Sequence, residues 1–208
     1  MHDRSTKKVP SEETSKRKLM EAAVRLFSQK GYSGTSVREI VEEAGVSKPV
    51  LYYYFKSKEG LFRAILDDAA RWQEEMIAEV LDTPGTATEK LRKLYKNIYD
   101  AFLEYPEFFK FIHALIFGLP QGNPRYDLER FHRRMDEVIK AIYLEGLTRR
   151  EFREADPEDV SSLIMGVNDF CLHLDYMYPE KSDPERAERL LGLAFRGLRN
   201  CRWVNDHV

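Results

Sequence analysis

Apolar residues recur at helical spacing along most of this chain, and no stretch alternates in the way a half-buried strand requires. Leu19, Met20, Ala23, Leu26 and Phe27 fall on one face, and Gly31 supplies a stop, which predicts a helix over 12–30. Ser36 and Glu39 stand in capping-box relation ahead of Val37, Ile40, Val41 and Ala44, so a short second helix follows and ends at Gly45. Ser47 opens a third, from Lys48 to about Phe55, with Pro49 in the first turn, where a missing N–H costs nothing. Ser57 opens a longer fourth, with Leu61, Phe62, Ile65, Leu66 and Ala69 inward. It runs to about Leu81, where Asp82-Thr83-Pro84-Gly85 breaks it.

From Thr86 onward five more helices are expected. Leu91, Leu94, Tyr95, Ile98, Tyr99, Phe102 and Leu103 mark one, and the segment from Tyr105 to Phe117 another. Phe131, Met135, Val138, Ile139 and Ile142 mark a third, from Tyr126 to about Leu147. Asp156-Pro157 and Asp183-Pro184 are paired start signals for the last two, an N-cap followed by a proline suited to the first turn. The fold class is therefore all-α, with about nine helices.

Composition narrows the picture. The 208 residues are 43% hydrophobic, enough to bury a core, and the net charge is only −2. The charge is unevenly placed. Residues 1–66 hold 13 Lys and Arg against 8 Asp and Glu, a net of +5, while the remainder holds 20 against 27. Phosphates are thus welcome at the N-terminal end. Cys171 and Cys201 form no CxxC pair and no disulfide framework. The polar start predicts no secretion signal, and no apolar run approaches the length of a membrane span, so a soluble cytoplasmic protein is expected.

Two short helices joined by a Gly-containing turn behind a longer supporting helix are what a helix-turn-helix needs. The second of the two carries Ser47, Lys48, Pro49, Val50, Tyr52, Tyr53 and Tyr54, and three consecutive tyrosines, about 100° apart on a helix, cannot all face a core. Arg38 suits bidentate guanine recognition, or else a solvated i,i+4 pair with Glu42. Tyr54 and Phe55 fit the core better than the DNA. The stretch from Leu26 to Leu61, with its F-x-x-K-G-Y, T-S-V-R-E-I, A-G-V-S and L-Y-x-Y-F-K-S-K blocks in order, resembles the TetR family DNA-binding domain over about residues 15–65.

That resemblance implies a recognition helix starting at Ser47. It implies phosphate contacts from Thr35, Ser36 and Lys58, a base contact from Arg38, and base or backbone contacts from Ser47, Lys48, Pro49, Val50, Tyr52 and Tyr53. It implies four parts: a disordered tail over 1–11, the DNA-binding domain over 12–57, a linker helix over 58–81, and an effector-binding and dimerisation domain over 82–208. The last two helices then pack against their copies in a partner chain through Val160, Leu163, Val167, Leu190, Leu191, Ala194, Phe195 and Leu198. Dimerisation also makes independent sense, because one recognition helix reads too few base pairs for a unique site.

Eight of the chain's 25 aromatics lie between residues 95 and 117. They fit either ordinary core packing or a pocket for a small apolar or aromatic effector. The candidate lining is Tyr95, Tyr99, Phe102, Phe109, His113, Phe117, Phe131, Met135, Asn168, Cys171 and Asp175, with His113, Asn168, His173 or Asp175 as polar anchors. His132/Asp136 and Asp169/His173 are i,i+4 pairs of a common surface kind, and no metal or cofactor is expected. No phosphate loop, nucleophile elbow or HExxH motif occurs, so the reading is a non-enzymatic, homodimeric regulator of operator DNA, a repressor released by its effector. The alternatives are an all-α enzyme and a helical protein-interaction module.

Overall fold

The computed structural model describes residues 12–118, 122–183 and 185–198, without the side chains of residues 12, 13 and 117. The expected tail over 1–11, the side chain of Phe117, Pro184 and Cys201 lie outside the described residues. Those described form nine α-helices: α1 (Glu12–Lys30), α2 (Val37–Ala44), α3 (Lys48–Phe55), α4 (Lys58–Asp82), α5 (Ala87–Glu104), α6 (Pro106–Phe117), α7 (Glu129–Thr148), α8 (Pro157–Met177) and α9 (Arg186–Leu198). A 3-10 turn at Pro179–Lys181, which the apolar pattern does not announce, separates α8 from α9. The chain is all-α, as expected.

Contacts divide the chain into two units. The first comprises the residues up to Ala69 together with Glu107–Tyr126. Its core is built on Leu19, Ala23 and Phe27 of α1, Ile40 of α2, Leu51 of α3, and Leu61, Phe62 and Leu66 of α4, all nearly or fully buried. Helix α6 belongs here. The Phe111 ring lies 5.8 Å from Phe27 and 5.7 Å from Phe62, and Ser28 Oγ donates to Glu107 Oε2 at 2.8 Å. The contact division thus departs from the sequence expectation of one continuous body over 82–208. Phe111, 2% exposed, packs its ring against Phe27 of α1 and Phe62 of α4 and so ties α6 to the first unit.

The second unit contains Ala70–Pro106 and the described residues from Asp127 on. Leu91 and Leu94 of α5, Ile139, Ile142 and Tyr143 of α7, Ile164 of α8, and Leu191 and Phe195 of α9 form its core, each at most 1% exposed. Helix starts follow the sequence signals. Thr86 and Glu89 close a capping box on α5, and the Asp156 carboxylate accepts from Glu158 N at 2.9 Å with Pro157 opening α8. The Lys90 ammonium, 8% exposed, donates to both oxygens of Glu145 at 3.0 and 2.9 Å, tying α5 to α7.

Candidate nucleic-acid interface

The short helices of the first unit are held by polar caps. Ser36 Oγ accepts from Glu39 N at 3.2 Å, and the Glu39 carboxylate accepts from Ser36 N at 2.8 Å and from Lys30 Nζ at 2.6 Å. The Lys30 hydrogen bond, followed by those from Ser36, lowers the Glu39 pKa to about 2. Gly45, at φ 65°, ψ 34°, ends α2 in the left-handed conformation, with its N–H on Glu42 O at 3.2 Å. Without this tight stop α3 would not emerge where it does.

On α3, Leu51 and Phe55 are buried at 0% and 5% exposure, and that fixes what the opposite side shows. Ser47, Lys48, Pro49, Tyr52 and Tyr53 are exposed; Val50 and Tyr54 are half-buried. Tyr52 and Tyr53 are 47% and 65% exposed, a large aromatic area for a surface helix, and the Tyr53 ring sits edge-on to Tyr54 with centroids 5.0 Å apart. Ser47, exposed, sits at the N-cap of α3 with no side-chain capping bond. Arg38, also exposed, donates from Nε to Glu42 Oε1 at 2.7 Å. The i,i+4 pairing is therefore present in the free protein, and it leaves the other face of the guanidinium to solvent.

Two expected phosphate contacts are corrected. Thr35 is 2% exposed, and its hydroxyl points inward, 2.9 Å from Gly31 O. It satisfies a carbonyl at the end of α1 that the helix itself cannot. Lys58 donates to Tyr32 O at 2.8 Å and Thr35 O at 2.7 Å, with its ammonium 4.0 Å from the centre of the Tyr32 ring. It fastens the α1–α2 turn to α4. Burial pushes its pKa down, as expected for an ammonium drawn from water.

The expected effector residues part company. Phe109 and His113, both half-buried on α6, belong to the first unit, whereas Tyr95, Tyr99, Phe102, Phe131, Met135, Asn168, Cys171 and Asp175 belong to the second. Asp175 is corrected as an anchor: one carboxylate oxygen accepts from Tyr99 Oη at 2.7 Å, and the other from Arg186 at 3.3 Å and Asp183 N at 3.4 Å. Its valences are filled by a cross-link between α5, α8 and α9, and Tyr99 is committed with it. Phe102 packs 5.9 Å from Tyr99, Cys171 is buried with its pKa raised by burial, and Phe131 and Met135 are half-buried. Among the described residues no group of three or more His, Cys, Asp or Glu is placed to hold a metal ion.

The expected dimer residues also divide. Val160, Leu191, Phe195 and Leu198 are 1–6% exposed within a single chain, so they are core and are corrected as interface candidates. Leu163 is exposed and Val167, Leu190 and Ala194 are half-buried. Phe170, Met177 and Leu193, missed by the sequence reading, are 50–57% exposed. The seven-residue spacing of Leu163, Phe170 and Met177 is the signal that marks the two on α8.

The family profile "Bacterial regulatory proteins, tetR family" matches residues 19–65. The chain is 49% identical over 142 residues to the probable HTH-type transcriptional regulator YttP of Bacillus subtilis (strain 168), a match spanning 67% of this chain and 68% of that protein. It is 34% identical over 93 residues to the HTH-type transcriptional repressor KstR2 of Mycolicibacterium smegmatis, covering 44% of this chain and 45% of the relative. Among solved structures, a gamma-butyrolactone receptor described as ArpA-like shares the fold, with a TM-score of 0.71 at 21% identity over 91% of this chain and 90% of that one. No described helix is long and apolar enough to cross a membrane. The helix-turn-helix on α2 and α3 and these matches together establish that the chain belongs to the tetR family and is a DNA-binding transcriptional regulator.

Proposed function

We propose that this regulator is a homodimeric repressor that leaves a palindromic operator when a small effector binds its second unit. The carrying observation is the outward face of α3, where Ser47, Lys48, Pro49, Tyr52 and Tyr53 project from a helix anchored by Leu51 and Phe55. With half-buried Val50 they read bases and phosphates; Arg38 reaches a base edge from α2, and Ser36 presents the α2 N-terminus to a phosphate. Thr35 and Lys58 act behind them by holding the turn. The repressor sign follows the description of KstR2.

Dimerisation uses the exposed stripe on α8 and α9, and the effector occupies the interior of the second unit, a role in keeping with the receptor whose fold is shared. Helices α5 and α7–α9 form the regulatory part, with α4 the covalent link to the DNA-binding part. Effector binding favours a dimer whose recognition helices are mis-spaced for successive major grooves, so effector and DNA oppose each other reciprocally. The chain acts by binding alone.

The test is a salt-dependent mobility shift on fragments selected from the source genome. Affinity falls with salt by a log–log slope of about 0.9 per neutralised phosphate. Arg38→Ala with Tyr52→Ala abolishes the shift; a shift that survives the pair, or the absence of any shifted fragment, overturns the reading. A small-molecule extract of the source cells that never weakens operator binding removes the effector part alone.

A further inference from the structure

Helix α2 carries three carboxylates, and two of them hold it to α1. Glu39 accepts from Lys30 Nζ at 2.6 Å, and Glu43 accepts from Arg25 Nε at 3.1 Å. Ile40, Val41 and Ala44 are buried beneath. The third carboxylate, Glu42, is exposed one turn from Arg38, and it makes no tie to another helix among the described residues. A negative charge beside an arginine that reads DNA weakens attraction to the polyanion, so its place there calls for a local reason.

That reason lies in how the two side chains meet. Arg38 donates from Nε to Glu42 Oε1 at 2.7 Å, and neither terminal nitrogen, Nη1 or Nη2, has an acceptor among the described residues. Arg63 on α4 shows the contrast: it uses Nη2 as well as Nε on Glu59, both at 2.9 Å. A guanidinium held at Nε alone is restrained in rotation, while its two terminal N–H groups stay parallel and open. That pair is the fork that matches guanine O6 and N7. The side chains of Arg38 and Glu42 are 76% and 59% exposed, so the pair adds little to stability. What it fixes is the direction of the fork.

We propose that Glu42 is a positioning residue for operator reading: its carboxylate holds Nε of Arg38 so that the terminal fork meets one guanine, and its charge lowers general affinity for DNA while raising discrimination. Without it, a long cationic side chain swings to the nearest phosphate, which attracts any cation whatever the sequence. With it, part of the ordering of Arg38 is complete before DNA arrives, and less freedom is lost on binding. The inference rests on the reading of Arg38 as a base contact and adds what aims it.

Competition binding of the full chain to a selected operator fragment, with each base pair of one half-site changed in turn, tests it. The salt slope on non-operator DNA and the melting temperature are read alongside. Wild type prefers guanine at one position, and Arg38→Ala erases that preference. Glu42→Ala lowers it about tenfold while preferences at the other positions hold, because a good bidentate pair accounts for a factor of that order. Glu42→Ala also binds non-operator DNA more tightly, with a log–log salt slope steeper by about one. Glu42→Gln matches it in slope yet keeps most of the guanine preference, since the amide oxygen still accepts from Nε. Both variants melt near the wild-type temperature. An unchanged guanine preference in Glu42→Ala overturns the positioning role while the Arg38 contact stands. Equal loss in Glu42→Ala and Glu42→Gln overturns it in favour of charge alone. A loss spread over all positions with a lower melting temperature shows that Glu42 holds α2 as a whole, and overturns it too. If Arg38→Ala keeps the guanine preference, the base contact itself falls, and the role of Glu42 with it.

Discussion

At the scale of single residues, Lys58 and Gly146 show how position decides role. The Lys58 ammonium holds two carbonyls of the turn before α2. Lys58→Met keeps the aliphatic stem but removes the donor to the Thr35 carbonyl and one of the two donors to the Tyr32 carbonyl, and is expected to lower stability by about 1–3 kcal/mol with the salt slope of operator binding unchanged. Urea unfolding and salt titration check this; a slope lower by about one at wild-type stability returns Lys58 to phosphate binding. Gly146 is a glycine because of what lies beside it. A Cβ there meets Phe152 Cδ2 at 2.4 Å and the Ala87 Cβ at 2.9 Å. Gly146→Ala gains helix propensity of about 1 kcal/mol, but overpacking that costs about 1–3 kcal/mol outweighs it. The melting temperature is expected to fall by roughly 4 °C with operator affinity at low temperature unaltered, and a rise counts against the packing account.

At the scale of elements, α2 is too short to hold itself, and the Lys30–Glu39–Ser36 cap supports it. Because the folded-state pKa of Glu39 is depressed to about 2 from 4.5, the unfolded chain binds more protons across that interval. The carboxylate's contribution is complete above the upper value and drains away as pH falls toward the lower one. Urea midpoints at stepped pH should therefore drop more steeply below 4.5 for wild type than for Glu39→Gln, and parallel curves speak against the cap. The helices themselves were legible. Ser36, Ser47, Asp156-Pro157 and Gly45 are local signals whose chemistry acts within a few residues, and α1 through α4 begin and end close to where they point. Sidedness was not legible. Helix α8 is apolar nearly all round, with Val160, Leu163, Ile164, Val167, Phe170 and Cys171, and periodicity cannot say which face its own chain covers. Thr35, Lys58 and Asp175 look like ligand-binding groups in sequence. Only the folded backbone brings Gly31, Tyr32 and Tyr99 within their reach, and those partners consume them.

At the scale of the whole molecule, the exposed α8 stripe argues for a second copy. Leu163, Phe170 and Met177 are 48%, 54% and 50% exposed, Leu193 on α9 is 57% exposed, and a Cβ on Gly166 or Gly197 meets nothing within 4 Å. Large apolar side chains at heptad spacing beside open glycines let another helix approach closely. Leu163→Glu with Phe170→Glu places two charges on that face without entering the core of the chain itself. The variant is expected to sediment as a monomer, to keep its helical circular dichroism, and to melt at a temperature that no longer depends on concentration. Losing the linkage between two recognition helices should weaken binding to a full palindrome by about 10²- to 10⁴-fold while an isolated half-site is bound as before. Leu144→Glu, at an equally exposed apolar position on α7, serves as the control and should remain dimeric. If the double variant still dimerises, the interface lies elsewhere. If it is monomeric yet holds the palindrome at wild-type affinity, then one recognition helix reads the operator, and the two-fold mechanism of release is wrong.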